Sequence, residues 1–284
     1  MKLHTPSALL GAILVSVLAL VTAFAQPQIV IQPTPIGLTQ AQKDVLDLLS
    51  VVYIDDCQSG PGYKTLRVEG ANLQVVNGLG TTDTENGLGN ILVGYQESQA
   101  IVCDRTGSHN VVGGLGNAYG SYGGLVMGLH NYVDAPRSAI LSGTDNHIIG
   151  TASEAAIISG ETNLVSGSRS VIVTGRFNFI DGNAAIGSGR WAAIVGGGGM
   201  GINGNTVEGS SSVVVGGNQH FVDVGAVSAI VVGGTSQNCM STGSVIVGGF
   251  DNTTIGLNSV VSGGSMRTAV GQEDWVAGSL LEDN

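Results

Sequence analysis

The chain has 284 residues, a formal net charge of −11, 46 glycines, and 11% charged against 43% hydrophobic residues. The acidic balance argues against a nucleic-acid partner, and the hydrophobic fraction argues against a disordered chain. The last lysine is Lys64, and only Arg169, Arg176, Arg190 and Arg267 fall within 138–272, which disfavours a phosphate-binding or lipid-binding surface.

Residues 1–25 carry the pattern of an export signal. Lys2 precedes an apolar run, Leu9–Val21, and Ala23-Phe24-Ala25 is a small-x-small cleavage site. The expectation is a chain exported through the general secretory pathway, starting at Gln26 and holding no membrane span after cleavage. The lead-in 26–36 has three prolines and is expected to be extended. Over 37–53 the residues Leu38, Ala41, Val45, Leu48 and Val52 recur at spacings of three and four, the seam of a two-heptad coiled coil. Such a short helix is marginal alone; it either registers an oligomer or caps the first coil of the array beyond it. Residues 54–70 are expected to be a turn-rich connection, and 71–78 the first strand.

From about 71 to 271 the chain is a repeat array. Its clearest unit is SVIVGGFDN at 244–252, with copies such as SAILSGTDN (138–146), AAIISGETN (155–163) and SVIVTGRFN (170–178). Counting the first residue as position one, position six is glycine: Gly94, Gly114, Gly128, Gly143, Gly160, Gly175, Gly217, Gly234, Gly249 and Gly264. Position three is always aliphatic, from Ile91 and Val111 to Ile246 and Val261. Position nine is often asparagine: Asn117, Asn131, Asn146, Asn163, Asn178 and Asn252. Most glycines lie 14, 15 or 17 residues apart. A helical-hairpin repeat needs roughly twice that length, so each unit fits two short strands and two turns.

The predicted fold is an all-β parallel solenoid of about twelve coils of ~15 residues, on the order of 50–60 Å long. β-Branched residues suit the strands. Glycine suits a corner at positive φ, and asparagine is expected to take the left-handed conformation at a second corner while stacking into ladders. Pairs such as Ile148-Ile149, Leu164-Val165, Phe179-Ile180 and Phe221-Val222 form the return strand. Positions three and four are both apolar yet point to opposite faces, so a strand covered on both faces is predicted. One face fills the lumen; the other is expected to meet further copies of the chain in a homotrimer. Within 184–211 the register blurs. Corner glycines at Gly189 and Gly204 give even steps and make Ala193-Ile194-Val195 a return strand, the preferred register; Gly189 with Gly197 is the alternative. The tail 272–284, with Trp275, breaks the repeat and is expected to cap the array.

The unit SVIVGGFDN resembles the head repeats of trimeric autotransporter adhesins of the YadA-like type, over roughly 70–270. That resemblance implies a left-handed parallel β-roll and a trimer. The chain is also similar to a group of uncharacterised bacterial secreted proteins, through NGLGN (86–90), RTGSHN (105–110), SYGGLV (121–126) and WVAGSLLEDN (275–284). No membrane-barrel strands or long stalk follow the array, so only the adhesin head is shared and anchoring by that route is not expected.

No G-x-S-x-G elbow, H-E-x-x-H helix or Walker A loop occurs, and neither cofactor nor metal is expected. Asp83 and Glu85, in the loop 77–90, lack the spacing of a calcium loop and are expected to be solvated. Cys57, Cys103 and Cys239 are an odd set; Cys57 and Cys103 are candidates to pair. His130 and His147 flank asparagines and are expected on turns. Asp181, Glu208 and Asp223 look scattered. The functional expectation is a secreted or cell-surface, noncatalytic structural or adhesive protein. It would present a rigid surface to a host, matrix or neighbouring cell, with a surface glycan or matrix protein as partner and loops 77–90 and 198–211 carrying contacts. The rivals are a polysaccharide-active enzyme on the same scaffold and a filament or surface-layer component.

Overall fold

Aliphatic residues flanked by glycine at fixed intervals can bury themselves only by stacking unit upon unit, and that is what the chain does. The computed structural model describes residues 38–54, 63–97, 103–182, 187–199 and 204–278. The proposed export signal, the lead-in, Cys57 and the last six residues lie outside the described residues, so the pairing of Cys57 with Cys103 does too. The chain divides into two units, 1–74 and 75–284.

In the first unit Thr39 caps helix α1 (Gln40–Asp47) through a reciprocal box with Gln42. The helix is eight residues long and buries no side chain. The predicted two-heptad helix over 37–53 is therefore corrected. Strand β1 (Leu49–Ile54) begins directly after it and pairs antiparallel with β2 (Tyr63–Val68), so the connection is also partly strand. Ser-Val-Val-Tyr-Ile is β-branched and aromatic, and strand pairing overrides the heptad spacing that includes Val52.

The second unit is a parallel β-solenoid of about 11 turns. Its strands form a twelve-stranded front sheet and a ten-stranded return sheet; each coil from 111 to 269 adds one strand to each, and the front strands 91–93 and 275–277 have no return strand among the described residues. The front sheet starts at Ile91–Val93; residues 71–78 form no strand. The predicted return strands are present as His147–Ile148, Leu164–Val165, Phe179–Ile180 and Phe221–Val222. The lumen is a mainly apolar seam between the sheets. On the front side it holds Val112, Val126, Ile140, Ile157, Ile172, Ile194, Val214, Val231, Ile246 and Val261, all at 0% exposure. Opposite them stand Ile148, Val165, Ile180, Val207 and Val222, also at 0%. Burying a Val or Ile side chain contributes roughly 1.5–3 kcal/mol, so the seam is the main source of cohesion.

Two registers differ from the prediction. Position three faces the lumen only from Ser138 onward; in the first three copies position four does, as Val112 and Val126, while Val111 is 38% exposed. The switch occurs because Val126 pairs with Ile140 whereas Leu129 bridges Thr144, leaving one extra residue, Ser142, before Gly143. In the blurred region, Ala193–Val195 is a front strand between Val171–Ile172 and Val213–Val215, with Gly197 at the corner. The even-step register with Gly204 is overturned. Burial of Ile194 in the lumen outweighs regular spacing.

Candidate functional site

Three kinds of column run the length of the solenoid, and each arises from one repeat position. The first is the glycine corner. Every predicted glycine has positive φ, from 75° at Gly217 to 116° at Gly160 and Gly175. The corner also leaves no room: a Cβ on Gly160 would lie 2.2 Å from the carbonyl oxygen of Gly175.

The second column is asparagine, and its role is corrected. The left-handed residue is the one before it: His130, Asp145, Thr162, Phe177 and Asp251 have φ of 54–56°. The asparagines themselves are buried. The Oδ1 of Asn117 accepts from the backbone N–H of Asn131, Asn131 serves Asn146, Asn146 serves Asn163, and Asn163 serves Asn178, at 2.9–3.0 Å. Their Nδ2 groups donate onward, as from Asn146 to the carbonyl of Gly160 at 2.9 Å. The sequence pattern misses four members, Asn205, His220, Gln237 and Arg267, because only Asn205 matches in type and it sits out of step. A serine at position one does parallel service. The Oγ of Ser138, Ser170 and Ser212 accepts from the N–H of Ala155, Ala192 and Ala229 in the next coil. These bonds satisfy buried backbone donors at the turns, where no sheet ladder reaches them.

The third kind lies outside. On the front sheet the residues beyond the lumen position form an exposed aliphatic row: Leu141, Ile158, Val195, Val215, Val232 and Val247, at 38–47% exposure, with Val173 half-buried among them. The other outward row, Ala139, Ala156, Val171, Ala193, Val213, Ile230, Val245 and Val260, is equally uncharged. From Ser138 onward position three, as at Ile246, points inward and position four outward.

Charged side chains gather instead at the corners and on the return sheet; after the glycine corner Arg176 donates to Glu161 at 3.1 Å. The half-buried Tyr122 and the exposed Arg137, Glu154, Arg169 and Trp191 form a continuous stack. Arg137 donates to Tyr122 Oη at 3.2 Å and to Glu154 at 3.0 Å, Arg169 donates to Glu154 at 2.7 Å, and Arg169 lies 5.8 Å from the centre of the Trp191 ring. Hydrogen bonds from Arg169 and then Arg137 hold the Glu154 carboxyl below its usual range. Asp181, Glu208 and Asp223 follow the return strands 179–180, 206–207 and 221–222, which are consecutive in the sheet, so the three acids form one outward row. Burial, and then the charges of Asp181 and Asp223, raise the pKa of Glu208.

A fourth group surrounds Gly120. Tyr132 donates to Asp104 Oδ2 at 3.1 Å and stacks on His147 with ring centres 4.6 Å apart. His147 therefore lies on a return strand, not on a turn. Burial, with Asp134 and Asp104 nearby, raises the Tyr132 pKa. A Cβ on Gly120 would lie 2.5 Å from Asp134 Oδ1 and 2.7 Å from Asp104 Oδ2, so a larger residue there would have to displace these two carboxylates. Among the described residues no group of three His, Cys, Asp or Glu side chains is placed to hold a metal ion.

Loop 77–90 is tied down by side chains. Asn77 is 6% exposed and bonds Thr84 through Nδ2, its N–H is accepted by His109 Nε2 at 3.2 Å, and Ser108 Oγ accepts from the N–H of Asn86. Asp83 is exposed, and Glu85 accepts from Ser121 at 2.8 Å. No helix among the described residues is long and apolar enough to cross a membrane. Compared with known proteins, the chain matches no family model and no curated protein. The class that the fold defines is a parallel β-solenoid with an uncharged outer front face.

Proposed function

We propose that the protein is a secreted, noncatalytic structural or adhesive component of the bacterial surface that assembles as a homotrimer through the outer face of its front sheet. The observation that carries this reading is the pair of uncharged rows on that face, in a chain of net charge −11. Like-charged copies repel one another, so an uncharged aliphatic face is where they approach at least cost. Contiguous exposed aliphatic side chains on one face are a mark of an interaction surface. The resemblance to YadA-like adhesin heads supports the trimer, and the loops and charged corner remain outward to meet a surface glycan or matrix protein. Light scattering of the full mature chain tests the assembly; a clean monomer with intact β-structure contradicts it. A glycan and matrix-protein binding array tests the adhesive role. Absence of binding leaves a filament or surface-layer component.

The acid row Asp181, Glu208 and Asp223 favours a second reading, a polysaccharide-active enzyme, because one carboxyl is raised beside two others. A polysaccharide-degradation assay separates the two. Reducing sugar released by the wild type and lost in Glu208→Gln would defeat the noncatalytic reading.

A further inference from the structure

We propose that His220 is a proton-operated break point in the solenoid: acid converts the one ring in the asparagine column from an acceptor to a donor and uncouples the coils that follow it from those that precede it.

At the other steps that pass through an amide, the acceptor is an oxygen that does not titrate near neutral pH. At His220 the acceptor is Nδ1, which takes the backbone N–H of Gln237 at 3.2 Å. An imidazole nitrogen accepts only while it is unprotonated, so this bond fixes the neutral ring with its proton on Nε2. A second proton would set Nδ1–H against the N–H of Gln237. The site has little with which to absorb that change. His220 is 1% exposed, and its Nε2 is buried without a hydrogen-bond partner. Asn205 above and Gln237 below are neutral amides. A Cβ on Gly217 would lie 2.0 Å from Nε2, which shows how closely the corner closes on the ring.

Titratable groups on the strands packed against it are few. Glu208 and Asp223 belong to the outer acid row, and Cys239 is a lumen thiol that burial keeps protonated. The front strands 213–215 and 230–232 contribute only Val and Ile. None of these groups offsets a charge on His220: burial alone lowers its pKa from 6.5 to about 4. The folded state thus keeps the ring neutral while the opened chain takes a proton below about pH 6.5. The stability that the neutral ring contributes is therefore complete above that pH and is lost progressively down to about pH 4. The inference is independent of the adhesive reading.

The direct reporter is the Gln237 amide. Hydrogen exchange of the full chain, resolved to single residues and expressed as protection against the intrinsic rate, is compared at pH 7 and pH 4. Protection at Gln237 should fall on the order of 100-fold. The Asn163 amide, held by Asn146 Oδ1, should change far less. His220→Asn and His220→Gln use side chains already present in the column and should abolish the difference. Equal loss at Gln237 and Asn163 in the wild type, or the same loss at Gln237 in either variant, would overturn the proposal. If neither variant folds, the wild-type comparison still decides it.

Discussion

Ile246 and Val247 are neighbours on one front strand and face opposite worlds: Ile246 is 0% exposed in the lumen, Val247 is 47% exposed outside. Substitutions at the two sites should therefore fail differently. Ile246→Asp buries an unpaired charge and should cost several kcal/mol, enough to lose the β signal in circular dichroism. Val247→Asp should leave the fold of the chain intact, within about 0.5 kcal/mol, and dissociate the proposed trimer in light scattering. A trimer that survives Val247→Asp unchanged places the contact elsewhere.

Asn163→Ala should be costly although it removes only an amide. Its Oδ1 holds the Asn178 N–H at 3.0 Å and its Nδ2 holds the Gly175 carbonyl at 2.9 Å. The Asn178 N–H would be left buried without a partner, while the Gly175 carbonyl keeps the N–H of Glu161, at about 1–3 kcal/mol. A lowered urea midpoint checks this. Substitution at the exposed Thr162, by contrast, should change little unless the new residue resists positive φ.

Gly160→Ala and Gly216→Ala form a matched pair. Both glycines have positive φ, 116° and 67°, yet a Cβ at 216 meets nothing within 4 Å while one at 160 meets the Gly175 carbonyl at 2.2 Å. Gly216→Ala should cost about 1 kcal/mol through backbone conformation alone. Gly160→Ala should cost more than ~2 kcal/mol, since backbone must move. Equal costs would mean that the corner is not tightly stacked.

Glu208 sets a pH dependence of its own. Its pKa is raised, by burial first and by Asp181 and Asp223 next, so the folded chain favours the protonated acid. Stability from this group is present below the ordinary glutamate range and is lost as pH rises through the raised value. Glu208→Gln should raise the melting temperature at pH 7, and the gain should vanish on acidification. A gain that persists at low pH would assign it to something other than charge.

The solenoid is legible in the sequence because its corner is glycine in every coil and the front side of its lumen is Val or Ile. Hydrophobicity alone does not say which of two adjacent valines turns inward, and the single extra residue at Ser142 reverses that choice between Val126 and Ile140. The register at 192–197 misleads for a similar reason: even spacing is a feature of the pattern, whereas burial of Ile194 is what stabilises the coil. Backbone tolerance points to Asn at the left-handed corner, but Asp145, Thr162 and Phe177 take that strain so that the Asn side chain can turn inward. The acid row is invisible in the sequence because Asp181 and Glu208 are 27 residues apart and adjacent only once the coils are stacked.

The bond between Asn178 Oδ1 and the N–H of Asn205 is 3.1 Å long and spans 27 residues, where neighbouring steps span 15. The stack thus measures cross-section and is blind to contour length. Chain inserted at a corner enlarges the circumference of one coil without disturbing the coils on either side, at an entropic cost that grows only logarithmically with its length. A rigid rod of this construction can carry decorations of many sizes on its rim while its axis stays the same.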